Sequence, residues 1–222
     1  MLRFKYPTTI IDDFFDTPDL VKEFAINQQY VKNNEGRWPG ARTDYLNVLS
    51  EKLYNELIDK ILPYAMGKDI NNDIDLQIEA YFQTIDRFSD DPNDNVNRGF
   101  IHRDDDYQFA GIIYLNEVCD KRCGTSIYKL KNTLEFKASD IKAPLYLHGE
   151  KVPNFDRDFT QYTDQFEESI SADNRFNRLV MFDSQQWHGV TNFHTGTDEP
   201  RLTLVFFVKV LKNNYNRGNQ WR

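Results

Sequence analysis

Residues 76–88 read LQIEAYFQTIDRF, from Leu76 to Phe88, with apolar and polar positions alternating along the stretch. That is the period of a strand rather than of a helix. The polar run SDDPNDNVNRG at 89–99 then breaks it. Runs of the same character follow at 100–104, 109–115, 125–130, 179–182, 188–193 and 201–211. Upstream the pattern differs. A short β-branched and aromatic run at 8–15 meets Asp16-Thr17-Pro18, where Thr17 can cap a helix and Pro18 suits its first position. Leu20, Val21, Phe24 and Ala25 give that helix an apolar stripe, and Leu53, Leu57 and Ile61 predict a second helix over about 50–64. Many short strands after two helices predict a mainly β (α+β) fold, a sandwich or small barrel buttressed by the N-terminal helices, rather than alternating βαβ units.

The chain has 222 residues, 40% hydrophobic and 14% aromatic, enough to bury a substantial core in one unit spanning 1–222. Helical support is expected over about 1–75 and the β core over about 76–210, with an insertion at about 131–175 that carries a short helix near 161–170. The 27 basic and 35 acidic residues give a formal charge of -8, which disfavours attraction to phosphate backbones and makes a nucleic-acid partner unlikely. The basic C-terminal end, from Lys209 to Arg222, reads as a solvated tail. MLRFKYPTTIIDDFF reaches acidic residues before any long apolar run and no later stretch could span a bilayer, so the expectation is a cytoplasmic protein with no membrane association. Cys119 and Cys123 are the only cysteines, too few for a disulfide framework or a zinc site, and read as ordinary thiols beside a turn.

Chemistry concentrates at His102-x-Asp104. Two residues apart on a predicted strand, these side chains project to one side within reach of a single ion, while Arg103 points away. By itself the pair could be a surface histidine near an acidic run. His188, on a distant predicted strand, can complete a 2-His-1-carboxylate face that leaves positions open on the metal and suits Fe(II). Arg201-x-Thr203 then opens a strand rich in Val and Phe. A guanidinium is awkward there unless it meets an anion, for which a bidentate carboxylate is the natural partner, and Thr203 shares its face. His194 competes with His188 but leaves little room for a turn before Arg201, and His148 in the insertion reads as solvated. The loop EGRWPGARTDYL at 35–46 either closes over a ligand or is a structural loop packed by its tryptophan. Arg37, Trp38 and Arg42 are the candidate substrate contacts it offers.

The ordered set of HxD at 102–104, IIYLN at 112–116, CGTSIY at 123–128, NRLVMFDSQQWHGV at 177–190 and RLTLVFF at 201–207 resembles the Fe(II)- and 2-oxoglutarate-dependent dioxygenases, particularly their prolyl 4-hydroxylase-like branch. The resemblance covers about residues 76–210. It implies a double-stranded β-helix of the jelly-roll or cupin-like kind, with His102, Asp104 and His188 holding a catalytic iron. It also implies that Arg201 and Thr203 bind the distal carboxylate of 2-oxoglutarate, with Tyr114 contacting the same group. Fe(II), 2-oxoglutarate and O2 would then hydroxylate a protein or peptide side chain, an amino acid or another small molecule, releasing succinate and CO2. Because Asp104 is present, no coordination position is left for halide, which favours hydroxylation over halogenation. Cys123 departs from the branch by replacing the first glycine of a Gly-Gly turn, and the insertion departs on the substrate side.

Three other readings compete. HRD at 102–104 also opens a kinase catalytic loop, but the asparagine expected five residues on is Phe109, with neither a glycine-rich loop before it nor DFG after it. A cupin-like metal protein without oxygenase activity, either an isomerase or a binding module, leaves Arg201 with no special role. A module in which Asp104, Asp105 and Asp106 form only a solvated acidic loop would gain no stability from metal.

Overall fold

The structure is a computed structural model that describes residues 6–67 and 74–213. In chain order its elements are β1 (Thr9–Ile11), α1 (Pro18–Ile26), β2 (Val31–Lys32), β3 (Ala41–Arg42), α2 (Leu46–Leu49), α3 (Glu51–Met66), β4 (Ile74–Ile85), β5 (Phe109–Tyr114), β6 (Thr125–Leu130), α4 (Ala143–His148), α5 (Phe155–Thr163), β7 (Phe166–Ala172), β8 (Leu179–Asp183), β9 (Trp187–Val190) and β10 (Arg201–Asn213). A seven-stranded sheet runs β1-β8-β5-β10-β4-β3-β2 and a three-stranded sheet runs β7-β6-β9. Every pairing is antiparallel. After β5 the chain passes between the two sheets repeatedly, and the result is a jelly-roll-like, mainly β architecture whose sheets do not close into a barrel.

Strand periodicity gives the large sheet two different faces. Phe82, Leu204, Ile113 and Leu179 lie on one of them, buried with Val21, Ala25, Leu57 and Ile61 of α1 and α3, so the helices do buttress the sheet. The other face follows from the register: Arg42 pairs with Gln83, Gln83 with Thr203 and Thr203 with Tyr114 in one row, and Val205 and Ile112 pair in the next row inward. Ser50 caps α3 by accepting the Leu53 N–H at 3.3 Å.

Several expectations need correction. Thr17 makes no side-chain cap bond, although Pro18 does open α1. The first strand stops at Ile11, because the acidic pair that follows turns the chain and Asp13 adopts φ 54°. The N-terminal part is not only helical, since β1 and β2 form the two edges of the large sheet. Residues 100–104 form no strand and join the small sheet through one bridge, at His102. The helix expected near 161–170 lies at Phe155–Thr163, where Phe155, Phe159 and Tyr162 supply its buried face. Residues 166–172 are instead the edge strand β7, and β7 thus belongs to the sheet rather than to the insertion. Pairing with β6 outweighs the helical tendency of Glu167 and Glu168. The basic C-terminal end beyond Asn213 and the N-terminal residues 1–5 lie outside the described residues. No helix among the described residues is long and apolar enough to cross a membrane.

Candidate functional site

His102, Asp104 and His188 converge, each offering one ligand atom, and these atoms all lie within 4.8 Å of one another. The convergence is built by backbone. His102 N–H donates to His188 O at 2.8 Å and His188 N–H returns the bond to His102 O at 2.9 Å, and Asp104 N–H donates to Ser184 O at 2.8 Å. Gly99 permits this approach, because a Cβ there would stand 2.6 Å from Val190 O. Arg103 turns outward, as its place between two inward residues predicts, and its guanidinium stacks 4.8 Å from the Trp187 ring centroid.

The protons of both rings are placed by their neighbours. His102 Nδ1 lies 2.8 Å from Phe100 O and His188 Nδ1 lies 2.9 Å from Gln186 O. A carbonyl can only accept, so each Nδ1 carries a proton and Nε2 is the nitrogen each ring turns toward Asp104. Those Nε2 atoms lie 3.6 Å and 3.3 Å from the two carboxylate oxygens of Asp104. Burial pushes the Asp104 carboxyl up, but His188, His102 and Arg42 outweigh it and hold the group at about 2. Asp104 is therefore a carboxylate at neutral pH. His102 sits below the ordinary histidine range, first because protein atoms crowd its ring, even with 48% of the side chain open to solvent, and then because His188 stands beside it.

The triad opens onto a cavity of about 400 Å³ whose wall also carries Arg201, Thr125, Arg42 and Trp38. Arg201 is 1% exposed. Its Nε donates to Cys123 O at 2.9 Å, while Nη2 is buried without a hydrogen-bond partner. Leaving a buried cationic donor unpaired is costly, and an anion in the cavity would satisfy it.

The other predicted residues divide into two groups. Arg37 lies on the cavity wall but is largely exposed and paired with Glu35 at 2.7 Å. Thr203 and Tyr114 lie behind the wall: Thr203 Oγ1 donates to Gln83 O at 3.5 Å, and Tyr114 O–H donates to Thr125 Oγ1 at 2.9 Å. Thr125, from the opposing sheet, lines the cavity, whereas Thr203 does not. His194 is outside the triad, its Nδ1 accepting the Gly196 N–H at 3.1 Å, and His148 ends α4 in solvent. Cys119 and Cys123 are free thiols, with Cys123 Sγ donating to His194 O at 2.8 Å.

Sequence reasoning missed Thr125, Lys142, Gln83 and Val205 on the wall. Strand parity could have found Gln83 and Val205, which share the inward face of the large sheet with Arg42 and Arg201. Lys142 had only a faint signal, a lone cation in the apolar context IKAPLY. Its Nζ donates to the carbonyls of Asn95, Val96 and Arg98.

This fold is the one shared by solved 2-oxoglutarate-dependent non-haem enzymes. HygX from Streptomyces hygroscopicus, solved with nickel and 2-oxoglutarate bound, superposes with a TM-score of 0.53 at 12% identity, covering 92% of this chain and 83% of its own. The epimerase SnoN, solved with Fe3+, alpha ketoglutarate and nogalamycin RO, gives 0.54 at 11% identity, covering 92% and 79%. The carbocyclase SnoK from nogalamycin biosynthesis gives 0.53 at 10% identity, covering 91% and 79%. At such identities the likeness is one of fold. No curated protein matches the chain. The chain belongs to the family of unknown function DUF6445, which matches residues 2–208.

Proposed function

We propose that this protein is an Fe(II)- and 2-oxoglutarate-dependent dioxygenase on a double-stranded β-helix frame. The observation that carries the reading is the unpartnered Arg201 Nη2 in the cavity onto which His102, Asp104 and His188 open. The residues fit the cofactors. Ligands at right angles around a first-row ion sit about 3 Å apart. The two imidazoles lie 3.6 Å and 3.3 Å from the two different oxygens of Asp104 and the ligand atoms lie within 4.8 Å of one another, so the three side chains would close inward on an ion. Both histidines turn Nε2 toward Asp104, and hard or borderline N and O donors suit Fe(II) better than a thiolate set would.

In this reading His102, Asp104 and His188 hold the metal, and Arg201 anchors the distal carboxylate of 2-oxoglutarate. Thr125 assists, because Tyr114 already donates to its oxygen and the Thr125 hydroxyl proton is free for a ligand. Thr203 and Tyr114 support the anchor from behind the wall. With Fe(II), 2-oxoglutarate and O2 bound, the site supplies oxidative chemistry that inserts one oxygen atom into a substrate C–H bond and the other into succinate, with loss of CO2. The order of motifs favours hydroxylation of the prolyl 4-hydroxylase-like kind, and the cavity volume suits an inserted side chain or a small molecule. The test is Fe(II)-dependent conversion of 2-oxoglutarate to succinate by the purified protein. Succinate formation supports the oxygenase, and tight metal binding without any turnover of 2-oxoglutarate favours the cupin-like alternative.

A further inference from the structure

Arg42 and Trp38 reach the cavity from β3 and the loop before it, on the same sheet as Arg201 but two strands away, and both carry an unmet hydrogen-bond donor. Arg42 Nε and Trp38 Nε1 are buried without a hydrogen-bond partner. The Arg42 guanidinium lies 4.4 Å from the Trp38 ring centroid, 5.4 Å from Tyr81 and 5.6 Å from Phe207, an aromatic cradle that fixes the cation without neutralising it. The carboxylates nearest in its electrostatic surroundings are Asp104 and Glu79. Asp104 is engaged by the two histidines, and Glu79 accepts from Tyr81 at 3.0 Å, Tyr107 at 2.9 Å and Gln77 at 3.0 Å. Among the described residues no carboxylate stands in salt-bridge contact with Arg42. Burial lowers the Arg42 guanidinium to about 10, so it stays charged at neutral pH.

A caged, unpaired cation beside an unpaired indole N–H is costly in a closed protein unless a ligand meets both. Arg201 is already the anchor for one anion. In the sheet Arg42 stands at the register of Gln83 on β3, whereas Arg201 stands at that of Ile85 on β10, with β4 between the two strands. We propose that Arg42 and Trp38 form a second anion subsite that receives the carboxylate of a small organic acid, with the acid's apolar body along Val205 and Phe207. Naming that acid as the substrate rests on the oxygenase reading, while the subsite itself does not.

Calorimetric titration of the protein saturated with Mn(II) and 2-oxoglutarate tests this, using benzoate, 3-phenylpropionate and indole-3-acetate against their primary amides. At least one acid is expected to bind about tenfold or more tighter than its amide, with the preference lost in Arg42→Gln while Mn(II) and 2-oxoglutarate affinities hold. Trp38→Phe keeps a ring and loses the N–H. It should weaken the acid several-fold, and it stands in if Arg42→Gln does not fold. Acids bound no better than amides, an undiminished preference in both variants, or competition between acid and 2-oxoglutarate for one site would each overturn the subsite. A tripeptide with a free C-terminus binding in preference to every small acid would overturn the small-molecule assignment. If the acid preference appears while Mn(II) and 2-oxoglutarate fail to bind, the subsite stands and the oxygenase reading falls; metal and cosubstrate binding without acid preference has the opposite meaning.

Discussion

His102 and His188 exchange both backbone hydrogen bonds, at 2.8 Å and 2.9 Å, and their ring centroids stand 4.4 Å apart. This lone bridge does the work that a strand at 100–104 was expected to do. It ties the segment carrying two of the proposed ligands to the strand carrying the third, so the spacing of the imidazoles depends on main chain and not on side-chain chance.

Gly99→Val tests that dependence. A Cβ at Gly99 meets Val190 O at 2.6 Å and Val190 N at 2.7 Å, so the segment must move off β9 and take His102 and Asp104 with it. Mn(II) affinity measured by calorimetry is expected to fall about tenfold or more. Arg103→Ala, which alters an outward side chain, should leave that affinity unchanged.

Arg201→Met separates the anchor from the metal. The buried guanidinium donates through Nε to Cys123 O at 2.9 Å, lies 5.4 Å from the Tyr114 ring centroid, and leaves Nη2 unpartnered. The variant is expected to weaken 2-oxoglutarate by about tenfold or more while Mn(II) uptake persists. Arg201→Lys restores charge without the planar fork and should recover only part of the affinity. Unchanged 2-oxoglutarate affinity in both variants would remove Arg201 from the anchor role.

Lys142→Met addresses the stability of the cavity wall. The buried ammonium donates to the carbonyls of Asn95, Val96 and Arg98, joining the start of α4 to the stretch that leads into His102. Removing it strands buried acceptors, so chemical denaturation should show a loss of about 2 kcal/mol or more. A loss within about 0.5 kcal/mol, the range of an ordinary surface change, would show that these bonds carry no net stability.

Much of the fold was legible because strands carry a recognisable pattern. Residues 76–85 alternate apolar and polar positions, while 109–114, 125–130 and 201–211 are short runs rich in β-branched and aromatic residues, and each is a strand in the structure. The triad was legible for a related reason, since a carboxylate two positions from a histidine and a distant histidine before a strand form an ordered pattern. What failed depended on tertiary partners. The EES run of β7 has no two-residue alternation and becomes a strand only by pairing with β6. Thr125 could not be picked out either, because it reaches the cavity from the opposing sheet, whereas Thr203 shares Arg201's face and is flanked in the sheet by Gln83 and Tyr114. Lys142 left only the faint signal of a lone cation in an apolar run, because its partners are backbone carbonyls that no side-chain pattern encodes.

The most direct test is anaerobic addition of Fe(II) and 2-oxoglutarate to the purified protein, recording the visible spectrum. A weak metal-to-cosubstrate charge-transfer band should appear in the wild type and be absent in His102→Ala and Asp104→Ala. No band, together with a melting temperature indifferent to Fe(II), Mn(II) and 2-oxoglutarate, would contradict the proposed site.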